Sequence, residues 1–195
     1  MFRVGLMLAI LPVVGACTHE HPLYGPENGW FRADIHDMPD AYIDGSVAVG
    51  MEQGDVAPNF RLRDQFGEEV ELYQFYGKVV QISLFAAWCP PCWDDAPLLA
   101  AASRDLEDNG AIVVEVMLES IAGTAEVIHC ARWAERHGAD HPILADTDFV
   151  TGPLLQGGFP TLPLLDRQLR FADIDAWPLD VGRLENLAVT TQDDM

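Results

Sequence analysis

Apolar positions along the chain indicate several strands. Residues 59–62 and 70–72 alternate polar and apolar side chains on either side of a turn at residues 64–67, which predicts a β-hairpin. Residues 78–87 and 111–118 are nearly continuous apolar runs, as expected of strands covered on both faces. These two runs are predicted to form the centre of a sheet.

Helical patterns alternate with these strands. One helix is predicted over residues 90–109 and ends at Gly110, and a second over residues 124–137 has Thr124 as its N-cap and ends at Gly138. The remaining elements are a short strand at 142–145, a short helix at 147–156, a hairpin of 161–165 and 169–174, and a helix at 179–188. This order predicts an α/β sandwich with a mixed central sheet.

The first residues of the chain resemble an export signal. Residues 4–14 are apolar but too few for a membrane-spanning helix, which needs about 20 residues. Their length is typical of a signal-peptide core, and small residues follow it. The string Val14-Gly15-Ala16-Cys17 is similar to the bacterial lipobox, whose cysteine is lipidated and becomes the mature N-terminus. An ordinary export signal followed by a chance cysteine is the alternative.

We expect three parts in the chain: a lipoprotein signal peptide at 1–16, a tether or extended arm at 17–53, and the folded domain at 54–190. The arm is rich in Pro, Gly, Asp and His and shows no sustained apolar period. Its histidines at positions 19, 21 and 36 make a weak metal site, and no metal centre is predicted.

The sequence Trp88-Cys89-Pro90-Pro91-Cys92 stands where a buried strand is followed by a long helix. The first amides of a helix lack partners and its macrodipole is positive there, so a thiolate at Cys89 has its pKa lowered from about 8.5. Cys92 follows within disulfide reach and can attack a mixed disulfide formed at Cys89, the outer of the two sulfurs. Both prolines remove donors that a thiolate would accept from.

A zinc site and a structural disulfide are the two alternative uses of these cysteines. A zinc site needs four ligands, and the only other cysteines are Cys17 and Cys130. A purely structural disulfide would close a very small loop and stabilise little. Cys130 lies on the same predicted helix as an apolar stripe and has no partner at short spacing, which favours a buried, inert thiol. A third redox cysteine is the alternative.

These motifs together resemble the thioredoxin superfamily. The pair Cys89 and Cys92 is followed by Pro97, which matches the kinked active-site helix, and residues 158–161 (GFPT) match the cis-proline loop. Residues 57–60 (APNF) and the positions after them are similar to the redoxin-type, TlpA-like branch. The resemblance implies a three-layer thioredoxin-like sandwich, with an N-terminal hairpin and a central strand–helix insertion.

The resemblance also implies roles for the residues that match it. Cys89 is the nucleophile and Cys92 the resolving thiol. Pro160 is the cis-proline, which leaves the backbone of Phe159 free to pair with an extended substrate. Trp88 packs beside the cysteines. An ordinary trans proline at position 160 and simple core packing of Trp88 are the alternatives.

One departure from thioredoxins concerns the buried acid six residues before the first cysteine, since Ser83 stands there. The TlpA-like branch often has an acid three residues after the second cysteine, where this chain has Asp95. That spacing places a carboxylate near Cys92, where it can accept the thiol proton if burial raises its pKa. Alternatively, Asp94 and Asp95 are solvated acids that favour the helix dipole.

The leading hypothesis is a thiol–disulfide oxidoreductase that is membrane-anchored by lipid on the periplasmic side of a bacterial envelope and reduces disulfides of exported proteins. It needs no cofactor besides the redox-active disulfide. The resemblance points to apocytochrome or copper-site cysteines as substrates and to a membrane thiol transporter as electron donor. With 31 acidic and 11 basic residues, the net charge of −20 excludes nucleic acid and anionic lipid as principal partners.

Two alternatives stay open. A thiol peroxidase of redoxin type needs a threonine about three residues before its nucleophile, but Phe85 and Ala86 occupy that stretch. A copper chaperone of thioredoxin-like fold pairs a CxxxC motif with a distant histidine. Here the spacing is CxxC, and His129 or His141 would have to serve.

Overall fold

The computed structural model describes residues 29–106 and 109–190. Within them the sheet has eight strands: β1 (Arg61–Arg63), β2 (Glu69–Glu71), β3 (Val79–Ala86), β4 (Ala111–Ser120), β5 (Gly123–Thr124), β6 (Ile143–Ala145), β7 (Leu164–Leu165) and β8 (Phe171–Asp173). The α-helices of this part are α1 (Asp40–Ile43), α2 (Pro90–Leu106), α3 (Val127–His137) and α4 (Val181–Thr190).

The sheet is mixed, and its strand order is β2-β1-β6-β4-β3-β7-β8, with β5 paired to β4. The central strand β3 runs parallel to β4 and antiparallel to β7, and β4 runs parallel to β6. The hairpin of β1 and β2 joins the sheet through β6. This topology confirms the predicted mixed α/β fold, its N-terminal hairpin and its strand–helix insertion.

The two faces of the sheet are covered differently. Helices α2, α3 and α4 pack on one face, where their side chains meet β3 and β4 residues such as Phe85 and Met117. The opposite face of β3 and β4, which includes Ile82 and Val116, is covered by short helical turns and loops. Because all eight residues of β3 are buried, the strand has apolar side chains on both faces.

Part of the arm also contributes to this second layer. Met38 and Tyr42 are buried in its core, and the Tyr42 hydroxyl donates to the carbonyl of Gln168 at 2.6 Å. The Trp30 indole donates to the buried Asp64 carboxylate at 2.8 Å. Residues 29–53 therefore pack onto the domain, while the boundary predicted at residue 54 stays a prediction.

Two predicted helices are wrong in extent. Helix α3 begins at Val127, because Glu126 and His129 form a capping box, while Thr124 belongs to β5. The helix predicted at 147–156 is only a 3₁₀ turn, Gly152–Leu154.

The buried Asp146 explains the second difference. Its carboxylate accepts the amides of Val150 and Thr151, both at 2.7 Å, and so holds this segment in a loop. Other boundaries shift by a few residues, and the strand predicted at 161–165 narrows to Leu164–Leu165.

Candidate active site around the Cys89–Cys92 disulfide

Cys89 and Cys92 form a disulfide between the end of β3 and the first turn of α2. Their Cα atoms are 5.3 Å apart, and the Cys92 amide donates to Cys89 Sγ at 3.3 Å. The amide is one of the unpaired donors at a helix start, and Pro90 and Pro91 contribute none. The two sulfurs therefore lie where the motif predicted them.

Both cysteines are almost completely buried. Cys89 is 2% exposed and Cys92 is 3% exposed, whereas Trp88 beside them is 53% exposed and both prolines of the motif are exposed. The two cysteine residues are thus covered to nearly the same extent in the disulfide form. The disulfide lies just beneath the surface, and a partner must displace a neighbouring side chain to reach it.

Trp88 and Phe159 are these neighbours. Their rings meet edge to face at 5.8 Å, and the Trp88 indole donates to Glu119 at 2.8 Å. Phe159 packs against the apolar cluster that contains both cysteines. The two aromatic side chains therefore border the disulfide from two segments of the chain.

The loop before β7 is held against the central strand. The Phe159–Pro160 peptide is cis. Immediately after it, Thr161 exchanges two main-chain hydrogen bonds with Leu84 of β3, at 2.8 and 3.1 Å. The Thr161 hydroxyl donates to the carbonyl of Gly158 at 2.8 Å. These bonds place Pro160 beside the end of β3, next to the disulfide.

Asp95 lies on α2 one turn after Cys92 and is partly buried. Burial raises the pKa of its carboxyl above the ordinary value; a hydrogen bond from the Trp177 indole opposes this, and the charges of Asp94 and Glu115 add to it. The Trp177 Nε1–Asp95 Oδ2 distance is 3.2 Å. Trp177 was not singled out in the sequence, since it follows Asp95 by 82 residues.

A buried polar group was also missed. Glu115 is 1% exposed and lies opposite Ser83 in the β3–β4 register. Its two carboxylate oxygens meet His141 Nε2 at 2.8 Å and Trp133 Nε1 at 3.2 Å. A buried carboxylate therefore lies on the strand adjacent to Ser83. A charged residue inside an apolar run was the sequence signal for it.

Cys130 and two histidines are the remaining positions considered in the sequence. Cys130 is buried as expected, and burial raises the pKa of its thiol to about 12. The two histidines weighed as copper ligands have protein partners: His129 Nδ1 accepts the Glu126 amide, and His141 contacts Glu115.

Some predicted features lie outside the described residues, namely the signal peptide and Cys17. In the part that the structure does describe, no three His, Cys, Asp or Glu side chains gather in a way that would hold a metal ion. None of the helices there combines the length and the apolar character needed to cross a bilayer.

Known proteins are similar to this chain in sequence or in fold. Thioredoxin-like protein YneN of Bacillus subtilis is 27% identical over 137 residues, which are 70% of this chain and 79% of YneN. Thiol-disulfide oxidoreductase ResA of the same organism is 29% identical over 109 residues, 54% of this chain and 58% of ResA. The crystal structure of a thiol:disulfide interchange protein DsbE from Chlorobium tepidum superposes with a TM-score of 0.60 and 26% identity. It covers 72% of this chain and 98% of that one.

The AhpC/TSA family matches residues 53–152, which contain the hairpin, the disulfide and the strand–helix insertion. This match spans half of the chain and agrees with the relatives and the superposed structure. The chain therefore belongs to the AhpC/TSA family, as a thiol–disulfide oxidoreductase of the redoxin type.

Proposed function

We propose that this protein reduces disulfides of partner proteins through Cys89 and Cys92. The observation that carries the proposal is the disulfide at the start of α2, with the Cys92 amide donating to Cys89 Sγ. An amide donor and a helix N-terminus stabilise a thiolate at Cys89 once the disulfide is reduced. The reduced protein then has its nucleophile in place.

The proposed exchange has two steps. The Cys89 thiolate attacks one sulfur of the partner disulfide, forms a mixed disulfide and releases the other partner sulfur as a thiolate, which takes up a proton from water. Cys92 then loses its proton and attacks Cys89 Sγ, which releases the second partner thiol and leaves the Cys89–Cys92 disulfide. Two electrons pass to the partner, and an external dithiol returns them by the same chemistry in reverse.

Three residues support these steps in the proposal. Asp95 accepts the Cys92 proton, because its raised pKa brings it closer to that of a thiol. Pro160 holds the main chain of Phe159 beside the disulfide. Within residues 29–106 and 109–190, the Phe159 main chain has no hydrogen-bond partner, so it is available to pair with an extended partner segment.

The location of the protein is part of the proposal. Residues 1–16 are a signal peptide, lipidated Cys17 anchors the chain at the membrane on the extracytoplasmic side, and residues 17–53 connect it to the domain at 54–190. The lipobox-like string at residues 14–17 supports this placement. The partners are then exported proteins with cysteine pairs, and a membrane thiol transporter supplies the electrons.

Reduction of a protein disulfide tests the exchange. The full chain in detergent, supplied with a dithiol, is expected to reduce insulin, and Cys89→Ser is expected to abolish this. Cys92→Ser is expected to accumulate a mixed disulfide that mass spectrometry detects. Cys130→Ser is the matched control and should keep full activity, because that thiol is buried. Unchanged turnover in Cys89→Ser would refute the proposal.

The reaction of the reduced protein with peroxide distinguishes the proposed disulfide reductase from the peroxidase alternative. Residue 86, three before Cys89, is a buried alanine and offers no hydroxyl to orient a peroxide. Stopped-flow mixing of the reduced protein with hydrogen peroxide is expected to show slow oxidation. Rapid, saturable oxidation would favour the peroxidase instead.

A further inference from the structure

A pocket of about 270 Å³ opens beside the disulfide, between α2, α3 and the end of β4. Two of its lining residues flank the motif in sequence: Ala87 precedes Trp88-Cys89, and Trp93 follows Cys92. The Trp93 indole donates to the carbonyl of Ala87 at 2.9 Å, which ties this wall to the residues before Cys89. Neither cysteine lines the pocket, but the residues that flank the motif on both sides do, so the pocket opens close to the active-site segment.

The pocket has a basic wall in an acidic protein. Arg132 and Arg136 stand four residues apart on α3, so both guanidinium groups lie on one side of the helix. Neither forms an ion pair or donates a hydrogen bond within the part of the chain described. Arg136 lies over the Trp93 ring, 5.1 Å from its centroid.

Other arginines show what is unusual here. Carboxylates pair with Arg61, Arg104 and Arg183, as expected in a chain with 31 acidic and 11 basic residues. Arg132 and Arg136 instead present their donors to solvent at the pocket. A guanidinium group binds a carboxylate through two parallel hydrogen bonds, so these two arginines suit an acidic side chain.

Most of the other lining residues are apolar, and Ser120 and His129 are the polar ones among them. Trp93, Trp133 and Met117 form the inner wall, and Ile121, which is 77% exposed, stands at the rim. An exposed isoleucine beside aromatic rings favours contact with an apolar side chain. The pocket thus combines a carboxylate site with an apolar surface.

The pocket and the Pro160 loop lie on opposite sides of the disulfide. In the sheet, β3 lies between β4, whose end lines the pocket, and β7, which follows Pro160. A protein segment that crosses the disulfide would reach both.

We propose that this pocket binds an acidic residue of the partner protein, with a neighbouring apolar residue, a short distance along the chain from the cysteine that reacts. The inference rests on the proposed function and adds a rule for choosing partners. The chain as a whole carries a net charge of −20 and repels acidic partners, so the attraction at Arg132 and Arg136 is a local one.

Paired peptides test this preference. Each carries a disulfide and a Glu-Leu or a Gln-Leu pair, placed about two to six residues from the cysteine on either side, a span of up to roughly 20 Å. At one or more positions the reduced full-length protein is expected to react about five to ten times faster with the Glu peptide. A rate ratio of this size corresponds to about 1 kcal/mol, which two partly exposed ion pairs can provide together.

The double variant Arg132→Gln, Arg136→Gln is expected to lose the preference while its rate with the Gln peptides stays unchanged. Arg104→Gln, Arg183→Gln is the matched control, because it alters the net charge equally at sites outside the pocket. This control should keep the preference. Equal rates for Glu and Gln peptides at every position, or a preference that survives in the pocket variant, would overturn the inference.

A binding measurement separates this inference from the exchange itself. The favoured Glu peptide with serine in place of cysteine is titrated into the protein by calorimetry. Binding that disappears in the Arg132→Gln, Arg136→Gln variant supports the pocket even if no exchange occurs. Exchange without any such binding or preference overturns the pocket and leaves the proposed function standing.

Discussion

Replacement of Asp95 by asparagine tests the proton transfer in the proposed mechanism. Asp95 lies one turn after Cys92, its pKa is raised chiefly by burial, and the Trp177 indole is its hydrogen-bond donor. Asparagine keeps the size of the side chain and an oxygen for that donor, but it cannot accept a proton. We therefore expect Asp95→Asn to slow the second step, in which Cys92 attacks the mixed disulfide.

The size of the effect follows from the thiol. With a pKa of about 8.5, a thiol without a base is only about 3% ionised at pH 7. If Asp95 removes this limitation, Asp95→Asn should resolve the mixed disulfide roughly 30 times more slowly at pH 7. The deficit should shrink about tenfold per pH unit and nearly vanish by pH 9, where the thiol ionises unaided.

The pH–rate profile of the unmodified protein should differ from that of Asp95→Asn, because its rate should fall on the acidic side. Because its base is a carboxylate with a raised pKa, its rate should stay level near neutrality and fall as the pH drops through that pKa. Trp177→Phe removes the hydrogen bond that lowers the pKa of Asp95, so the fall should move to higher pH. The raised pKa also means that folding disfavours the ionised form, so Asp95→Asn should keep or increase the free energy of unfolding at pH 7.

Single-turnover stopped flow provides the assay, with the mixed disulfide preformed on Cys89 and the fluorescence of Trp88 and Trp93 as the signal. Asp94→Asn is the control, since it removes the same charge from an exposed neighbour. Parallel pH profiles for Asp95→Asn and Asp94→Asn would refute the reasoning.

Three further predictions concern the surroundings of the disulfide. Glu115→Leu leaves the buried Trp133 indole and the His141 ring without their hydrogen-bond partner and should lower the free energy of unfolding by about 1–3 kcal/mol in urea titrations; an unchanged free energy would contradict this. Trp88→Ala uncovers Cys89 and should speed reduction by dithiothreitol, followed by thiol titration; an unchanged rate would show that Trp88 is no barrier. Cys130, with a pKa of about 12, should resist iodoacetamide at pH 8 in the folded protein and react after unfolding, as read by mass spectrometry; equal labelling in both states would be the contrary result.

The sequence predicted the parts of the fold that local patterns determine. The nearly continuous apolar runs of β3 and β4 predicted these two strands, because a strand that is buried on both faces requires such a run. The helix predicted at 147–156 was wrong because a local pattern does not determine the structure of that segment. There the buried Asp146 carboxylate accepts hydrogen bonds from backbone amides that a helix would otherwise pair. The sequence pattern indicates neither the burial of Asp146 nor these hydrogen bonds.

The candidate site divides in the same way. Cys89 directly precedes α2, and Cys92 and Asp95 lie on its first turns, so their spacing was enough to place them together. Trp177 and the arginine pocket come from other segments, and their contacts with α2 depend on how these pack. The sequence alone does not give the register of the sheet, so it could not show that Trp177 and the arginines lie near α2.

The charges around the sulfurs bear on the direction of electron flow. Asp95 lies one turn from Cys92, and Glu119 accepts the indole of Trp88 beside Cys89, so both carboxylates disfavour a thiolate there. Pro90 and Pro91 further limit the amide donors of the first turn, and Cys92 supplies the one seen at Cys89 Sγ. Dithiols become strong oxidants when their reduced form is stabilised, and this site lacks much of that stabilisation. The couple is therefore expected to lie closer to about −270 mV, as in a reductant, than to about −120 mV, as in an oxidant. Equilibration with glutathione buffers measures the potential, and a value at the oxidising end would show that the helix start outweighs the carboxylates.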